Sequence, residues 1–299
     1  MYKEILDFLK LNDVKYKERI KLGSFSPIKI GGEADLVVYP ESEASLISLI
    51  SLLESAGIKY KTVGRMSNLL PPDEGYSGVV IRTDHFNELK IKNNCLSVFC
   101  GASLPHIAAR LCELGLSGFE ELSGIPGSIG GAIIGNAGAF GKEISDVLID
   151  TRLYDVKDKQ FIRLDSTECR FDYRSSNFGV DKFIILSADF KFCLSDSAQV
   201  KAKMREVADR RRGSQPIGYP SLGSTFKRPE KNTPAARLID ECGLKGHTVG
   251  GAQISEKHAG FIINIGGATS ADYLRLANYA AQKVYECFGV RLEKEVEIL

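Results

Sequence analysis

Residues Ser123 to Gly141 read SGIPGSIGGAIIGNAGAFG, a run with seven glycines and no charged residue. Glycine reaches φ > 0 and lets another backbone or a ligand approach closely, at an entropic cost. Such a run inside a folded domain has two readings of equal standing. It is either a main chain pressed against something flat or charged, or a series of tight turns between small packed strands. The remainder of the chain has to decide between them.

The chain has 299 residues, 43% of them hydrophobic and 26% charged, which is ordinary globular composition and long enough for two or three packed parts. A formal net charge of +1 gives no electrostatic footprint for nucleic acid or a membrane surface. The first 18 residues, MYKEILDFLKLNDVKYKE, are charged throughout and do not read as a signal peptide. No run approaches the roughly 20 apolar residues of a spanning helix. The seven cysteines are scattered, odd in number and without a CxxC pair, which fits a reduced, cytoplasmic protein. His85, His106, His247 and His258 have no metal-ligand spacing, and no metal is expected.

Taken in order, residues 3–10 predict a short amphipathic helix, and Leu22 to Ile30 an extended lead-in. Ala34 to Tyr39 (ADLVVY) has the content of a buried strand, stopped by Pro40. Ser42 can cap a helix with Leu46, Ile47, Ile50 and Leu53 on one face. Ile58 to Val63 is then a second strand, completing a β-α-β unit. Gly78 to Thr83 and Cys95 to Cys100 read as strands, and Ser103 can cap a helix with Pro105 in its first turn. Residues 147–192 read as an antiparallel set around the polar-aromatic loop CRFDYRSSNF. Residues 198–212 predict a solvated basic helix, and residues 234–242 a short one. Ser270 is expected to cap a long helix, 271–288, closed by Gly289. Val290 to Leu299 (VRLEKEVEIL) alternates as a half-buried strand should.

The chain holds no GxSxG, no P-loop and no HExxH. The glycine run is not GxGxxG, so a dinucleotide fold of the Rossmann type is a poor fit. Gly64 to Leu70 (GRMSNLL) follows a strand and can offer backbone N–H groups to an anion. Arg174 in YRSS, Ser224 in GSTFK and Glu295 in LEKEVEIL are polar sites that singly would pass as surface residues.

Together, however, these stretches resemble the UDP-N-acetylenolpyruvoylglucosamine reductase family. The resemblance rests on IKIGGEADLVVYP (28–40), GRMSNLLPPDEGYSGVVIRT (64–83), ELSGIPGSIGGAIIGNAGAFGKEI (121–144), CRFDYRSSNF (169–178) and PSLGSTFKRP (220–229). It continues through LIDECGLKGHTVGGAQISEKHAGFIINIGGATSADY (238–273) and FGVRLEKEVEIL (288–299). It thus spans nearly the whole chain, and it points to the branch lacking an extra tyrosine-bearing loop.

The resemblance implies an α+β fold. Two FAD-binding subdomains of the vanillyl-alcohol oxidase type, 1–83 and 84–195, would precede a C-terminal substrate domain, 196–299. It implies FAD held non-covalently, consistent with the lack of histidine in the glycine run, and NADPH as co-substrate. Gly64, Arg65, Met66, Ser67, Asn68 and Leu69 would contact the cofactor. So would Ser123, Gly124, Ile125, Pro126, Gly127, Ser128, Gly130, Gly131 and Ala132. NADPH would reduce the flavin, and flavin N5 would pass hydride to the β-carbon of an enolpyruvyl sugar nucleotide. Ser224 would then protonate the α-carbon, while Arg174 and Glu295 polarise the substrate carboxylate. A fixed guanidinium meets the negative charge that hydride addition builds beside a carboxylate. Burial could keep Glu295 protonated, so that it donates a hydrogen bond. Tyr173, Lys227 and Arg228 would neighbour the substrate, and Lys245 is either structural or faces the nucleotide.

Partners would be the UDP-sugar nucleotide and NADPH, with no nucleic acid and no membrane insertion, and the expected state is a monomer. The chain departs from the family pattern at Met66, where glycine is usual, and a methionine there takes φ < 0 or crowds the pyrophosphate. Arg228 stands where asparagine is common, Asp172 where glycine is frequent, and Pro71-Pro72 replaces a small apolar pair. An FAD-linked oxidoreductase of the same fold acting on another substrate is the alternative. A non-catalytic descendant is a third reading, supported only by Met66 and Arg228.

Overall fold

The computed structural model describes residues 2–178, 183–229 and 233–299. The chain forms two compact units, each assembled from three segments. The first comprises Met1–Glu18, Leu36–Arg65 and Gly78–Asp209, and the second Arg19–Asp35, Met66–Ser77 and Arg210–Leu299.

The first unit has one core. Helix Lys3–Leu11 contributes Ile5 and Leu9, helix Glu43–Ser55 contributes Leu46, Leu49, Ile50 and Leu53, and all six are at most 1% exposed. The Ser42 hydroxyl accepts from Ser45 N at 3.1 Å, as the sequence predicts for a cap. Strand Tyr60–Val63 runs parallel to strand Tyr76–Arg82, with Tyr60 opposite Val79. The order Lys15–Lys21, Glu33–Tyr39, Tyr76–Arg82, Tyr60–Val63 therefore puts Tyr76–Arg82 between the two strands of the β-α-β unit. A five-stranded antiparallel sheet follows the order Gln160–Asp165, Leu148–Asp155, Phe183–Lys191, Cys95–Phe99, Leu89–Lys92. Its alternating strands, such as Phe183–Lys191, bury every second residue over most of their length. Ser103 caps helix Leu104–Glu113, accepting from His106 N at 3.4 Å.

The glycine run resolves into both kinds of local structure. Ile129–Ile134 is a single short helix, an element the sequence did not suggest. Its Gly130 sits so close to strand Cys95–Phe99 and its continuation that a Cβ there would stand 3.0 Å from Cys100 Cβ. Downstream, Gly138–Ala139 pairs with Lys142–Glu143 in a two-residue hairpin. Its turn residues Phe140 and Gly141 have φ of +53° and +88°, the positive values such hairpins demand.

In the second unit, strands Ser221–Ser224, Phe261–Asn264, Ala252–Ile254 and Thr248–Val249 form an antiparallel sheet. Helices Ala235–Glu241 and Ser270–Phe288 pack on it around Leu238, Ile239, Tyr273, Leu276 and Val284. The long helix is capped by Thr269, one residue before the serine expected to do so. Thr269 Oγ1 accepts from Asp272 N at 3.0 Å, and an Asp272 carboxylate oxygen accepts from Thr269 N at 3.1 Å. Ser270 is occupied elsewhere, since its hydroxyl accepts from Asp73 N at 3.1 Å. Asp73 in turn accepts from Ser270 N and Ala271 N at 2.7 and 3.0 Å. Gly289 closes the helix at φ +68°, as predicted.

Thr269→Ala should therefore cost about 1 kcal/mol of stability, read from denaturant unfolding. The Thr269 N–H holds the Asp272 carboxyl below its ordinary range, helped by Arg275. A carboxylate with a depressed pKa stabilises the fold above its unfolded value and loses that contribution as pH falls through the folded one. The stability difference between wild type and Asp272→Asn should accordingly be present at pH 7 and shrink below about pH 4.

Residues 290–299 form no continuous strand. Glu297–Ile298 pairs parallel with Leu69–Leu70, and Lys294 makes an isolated bridge to Phe226. Among the described residues, no helix is long and apolar enough to cross a membrane. Nor does any group of three or more His, Cys, Asp or Glu among them come together in a way that could hold a metal ion.

Candidate active site

In the first unit, two of the loops singled out in the sequence touch. A Cβ on Gly64 would stand 2.1 Å from Ser128 Oγ, so only glycine lets the loop after strand Tyr60–Val63 lie against the glycine run. Among the described residues, no protein acceptor takes the backbone N–H groups of Gly64, Arg65, Gly124, Gly127 or Ser128. Backbone donors left unpaired along small-residue loops form a cradle for an anion. The neighbouring amides are used: Ile129 N donates to Ala102 O at 2.9 Å and Gly130 N to Cys100 O at 2.8 Å, which pins the run. A diphosphate-bearing cofactor such as FAD fits this donor set, which supplies hydrogen bonds without requiring lysines.

Arg174 lies in the same unit, half-buried, on a tight turn. Asp172 and Ser175 exchange backbone hydrogen bonds at 3.1 Å in both directions, and Arg174 has φ +53°. Its Nη2 donates to Gly138 O at 2.9 Å, and its guanidinium carbon lies 5.0 Å from the centre of the Tyr173 ring. A guanidinium presents five N–H donors in a planar fork whose geometry suits a carboxylate. Tyr173 is 39% exposed.

The second unit carries the rest of the expected set. Met66 is 3% exposed and has φ +54°. It adopts the left-handed backbone natural to glycine, at a cost of about 1–2 kcal/mol, so of the two alternatives expected for it φ < 0 does not hold. The N–H groups of Ser67 and Asn68 also have no protein acceptor among the described residues. Asn68 Nδ2 donates to Glu295 O at 2.9 Å, a link from the predicted cofactor loop to the C-terminal segment that the sequence did not reveal.

Ser224 owes its exposure to a bulge. Ser221 pairs with Ile263 and Ser224 with Phe261, three steps on one strand against two on the other. Gly223 absorbs the extra residue at φ +80°. Bulges re-aim the side chains beside them, and Ser224 is exposed while Thr225 is 1% exposed. Thr225 Oγ1 meets the buried Tyr273 hydroxyl at 3.0 Å, and burial pushes that hydroxyl's pKa up, so it stays neutral. Glu295 N donates to Thr225 O at 2.9 Å and Lys227 N to Glu293 O at 2.9 Å, so the segments carrying Ser224 and Glu295 run side by side. Backbone pairing thus sets the two segments that carry these candidate side chains against each other. The Lys227 ammonium pairs with Glu293 at 2.6 Å, and Lys245 with Asp240 at 2.6 Å; Arg228 is exposed.

Comparison with known proteins bears on the family to which the chain belongs. Residues 34–164 match the family described as "FAD binding domain". Residues 215–299 match "UDP-N-acetylenolpyruvoylglucosamine reductase, C-terminal domain". The UDP-N-acetylenolpyruvoylglucosamine reductase of Caldicellulosiruptor bescii is 42% identical over 294 residues, covering 98% of this chain and 93% of that one. The protein of the same name from Clostridioides difficile is 39% identical over 300 residues, covering 100% and 97%. The crystal structure of UDP-N-acetylenolpyruvylglucosamine reductase from Thermus caldophilus superposes with a TM-score of 0.81 at 31% identity, covering 95% of this chain and 99% of that one. An FAD-binding fold followed by a C-terminal α+β domain, with these relatives along its full length, means that the chain belongs to the UDP-N-acetylenolpyruvoylglucosamine reductase family.

Proposed function

We propose that this chain catalyses the NADPH-dependent, FAD-mediated reduction of the enolpyruvyl group of UDP-N-acetylglucosamine-enolpyruvate to UDP-N-acetylmuramate. That reaction serves peptidoglycan precursor synthesis. The observation that carries the reading is one chain joining an FAD-binding segment, 34–164, to the C-terminal domain of this reductase, 215–299. An FAD-linked enzyme for another substrate would have no need of that second domain.

FAD, when bound, carries hydride from NADPH to the enolpyruvyl group. The backbone N–H groups of Gly64, Arg65, Gly124, Gly127 and Ser128, without a protein acceptor among the described residues, would hold its diphosphate. Arg174 meets the substrate carboxylate and the charge that develops beside it as the β-carbon gains hydride. Glu295 shares that task through a hydrogen bond to the same carboxylate. The exposed Ser224 hydroxyl gives its proton to the α-carbon, for which an enediolate-like carbanion is a strong enough base. Tyr173, Lys227 and Arg228 flank the sugar nucleotide. The protein works as a cytoplasmic monomer, which light scattering on the purified chain checks.

Purified protein should show flavin absorbance, or regain it with FAD, and should oxidise NADPH only when the enolpyruvyl sugar nucleotide is added. A colourless protein that cannot be reconstituted would sink the reading. Flavin without nucleotide-dependent turnover would favour an oxidoreductase for another substrate.

A further inference from the structure

We propose that Asn136 is a positioning residue for Arg174; this rests on the reading above that Arg174 meets the substrate carboxylate. Asn136 stands inside the glycine run, between Gly135 and Ala137, and is 1% exposed. Its backbone is left-handed, at φ +39°, a region asparagine enters more readily than most residues. Its side-chain amide is engaged on both sides. Nδ2 donates to Glu143 Oε2 at 2.8 Å and to Asp172 O at 3.1 Å, and Oδ1 accepts from Ser145 N at 3.2 Å.

The first two of these partners bear on Arg174. Asp172 opens the turn on which Arg174 sits, bonded to Ser175 in both directions. Glu143 is paired across the hairpin with Gly138, whose carbonyl receives Arg174 Nη2 at 2.9 Å. A Cβ on Gly138 would stand 2.8 Å from Glu143 Cγ and 3.3 Å from Arg174 Nη1, so these groups are packed without spare room. One buried amide therefore joins two supports of the guanidinium, the turn that carries it and the hairpin that accepts from it. A buried network with its donors and acceptors satisfied is stiff, and stiffness in the supporting groups holds a reacting group in place. Loss of that support can misplace a group by about 1 Å, which costs up to about 100-fold in rate.

The test uses Asn136→Gly, which tolerates the left-handed backbone and removes the side chain with its amide, with Asn136→Asp as a second variant that keeps the acceptor for Ser145. Anaerobic rapid mixing reads flavin reduction by NADPH and flavin reoxidation by the enolpyruvyl sugar nucleotide separately. Both variants should keep bound flavin and reduce it within about twofold of wild type, while reoxidation slows about 30-fold. Hydrogen exchange of the amides at 172–176 should quicken at least about tenfold, a readout independent of turnover. In an Arg174→Ala background, Asn136→Gly should slow reoxidation no further than about twofold, because the amide then has nothing to position. Reoxidation unchanged in Asn136→Gly, equal slowing of both half-reactions, or additive losses in the double variant would each overturn the proposal. If Arg174→Ala itself reoxidises normally, the role given to Arg174 fails first; if it is slow while Asn136→Gly is normal, only the positioning role fails.

Discussion

Ser224→Ala is expected to let NADPH reduce the flavin and then to reoxidise it with the sugar nucleotide about 1,000-fold more slowly than wild type. The split follows from what the hydroxyl does and does not touch. It is exposed and, among the described residues, makes no hydrogen bond to the protein. Its removal leaves no buried partner unsatisfied, so stability and flavin content should be unchanged. The bulge at Gly223 and the backbone pairing of Ser224 with Phe261 survive the substitution. A large loss confined to the second half-reaction can then come only from the chemistry of the hydroxyl. Reoxidation within about threefold of wild type in rapid mixing would remove Ser224 from the role of proton donor.

Glu295→Ala is expected to slow the same half-reaction by about 100-fold or more, again with flavin retained. Here, too, the fold is protected. Two contacts of residue 295 are made by its main chain, N–H to Thr225 O and carbonyl to Asn68 Nδ2, and neither depends on the carboxyl group. Glu295→Gln distinguishes what the carboxyl contributes. An amide of the same length keeps an N–H donor, so if the glutamic acid acts by donating a hydrogen bond, the glutamine variant should recover about tenfold over alanine. If the charge of a carboxylate is what matters, glutamine and alanine should be equally slow. Loss of both half-reactions together would mean that Glu295 supports the cofactor and not the substrate.

Much of the local structure was legible from neighbours in sequence. Ser42 and Ser103 cap the helices they precede because a short side-chain oxygen reaches an N–H three residues on, whatever the rest of the fold does. Gly289 closes the last helix because only glycine takes φ +68° at no cost. Alternation along Phe183–Lys191 marked a strand with one buried face. The cap at Thr269 was misread by one residue for a reason outside any local window: serine is if anything the better cap, but a residue 197 positions away, Asp73, takes it. Val290–Leu299 alternates like a strand, but its partners are two short separate segments, so the ladder forms only in pieces.

The candidate site divides in the same way. Sequence by itself determined the residue types: a run of glycines with few side chains to obstruct its amides, an arginine on a polar turn, a serine after a glycine, a glutamate near the end. These are covalent facts, and they sufficed to identify the family. Only the tertiary structure decided how they are held. It set Met66 in a left-handed conformation, pressed Gly64 on Ser128, tied Asn68 to the backbone of Glu295, and made Asn136 the joint between hairpin and turn. Each of those contacts joins segments brought together by packing. A left-handed methionine, or an asparagine with its amide bonded on both sides, is stable only where the surrounding structure supports it, so it cannot be read from neighbouring residues alone.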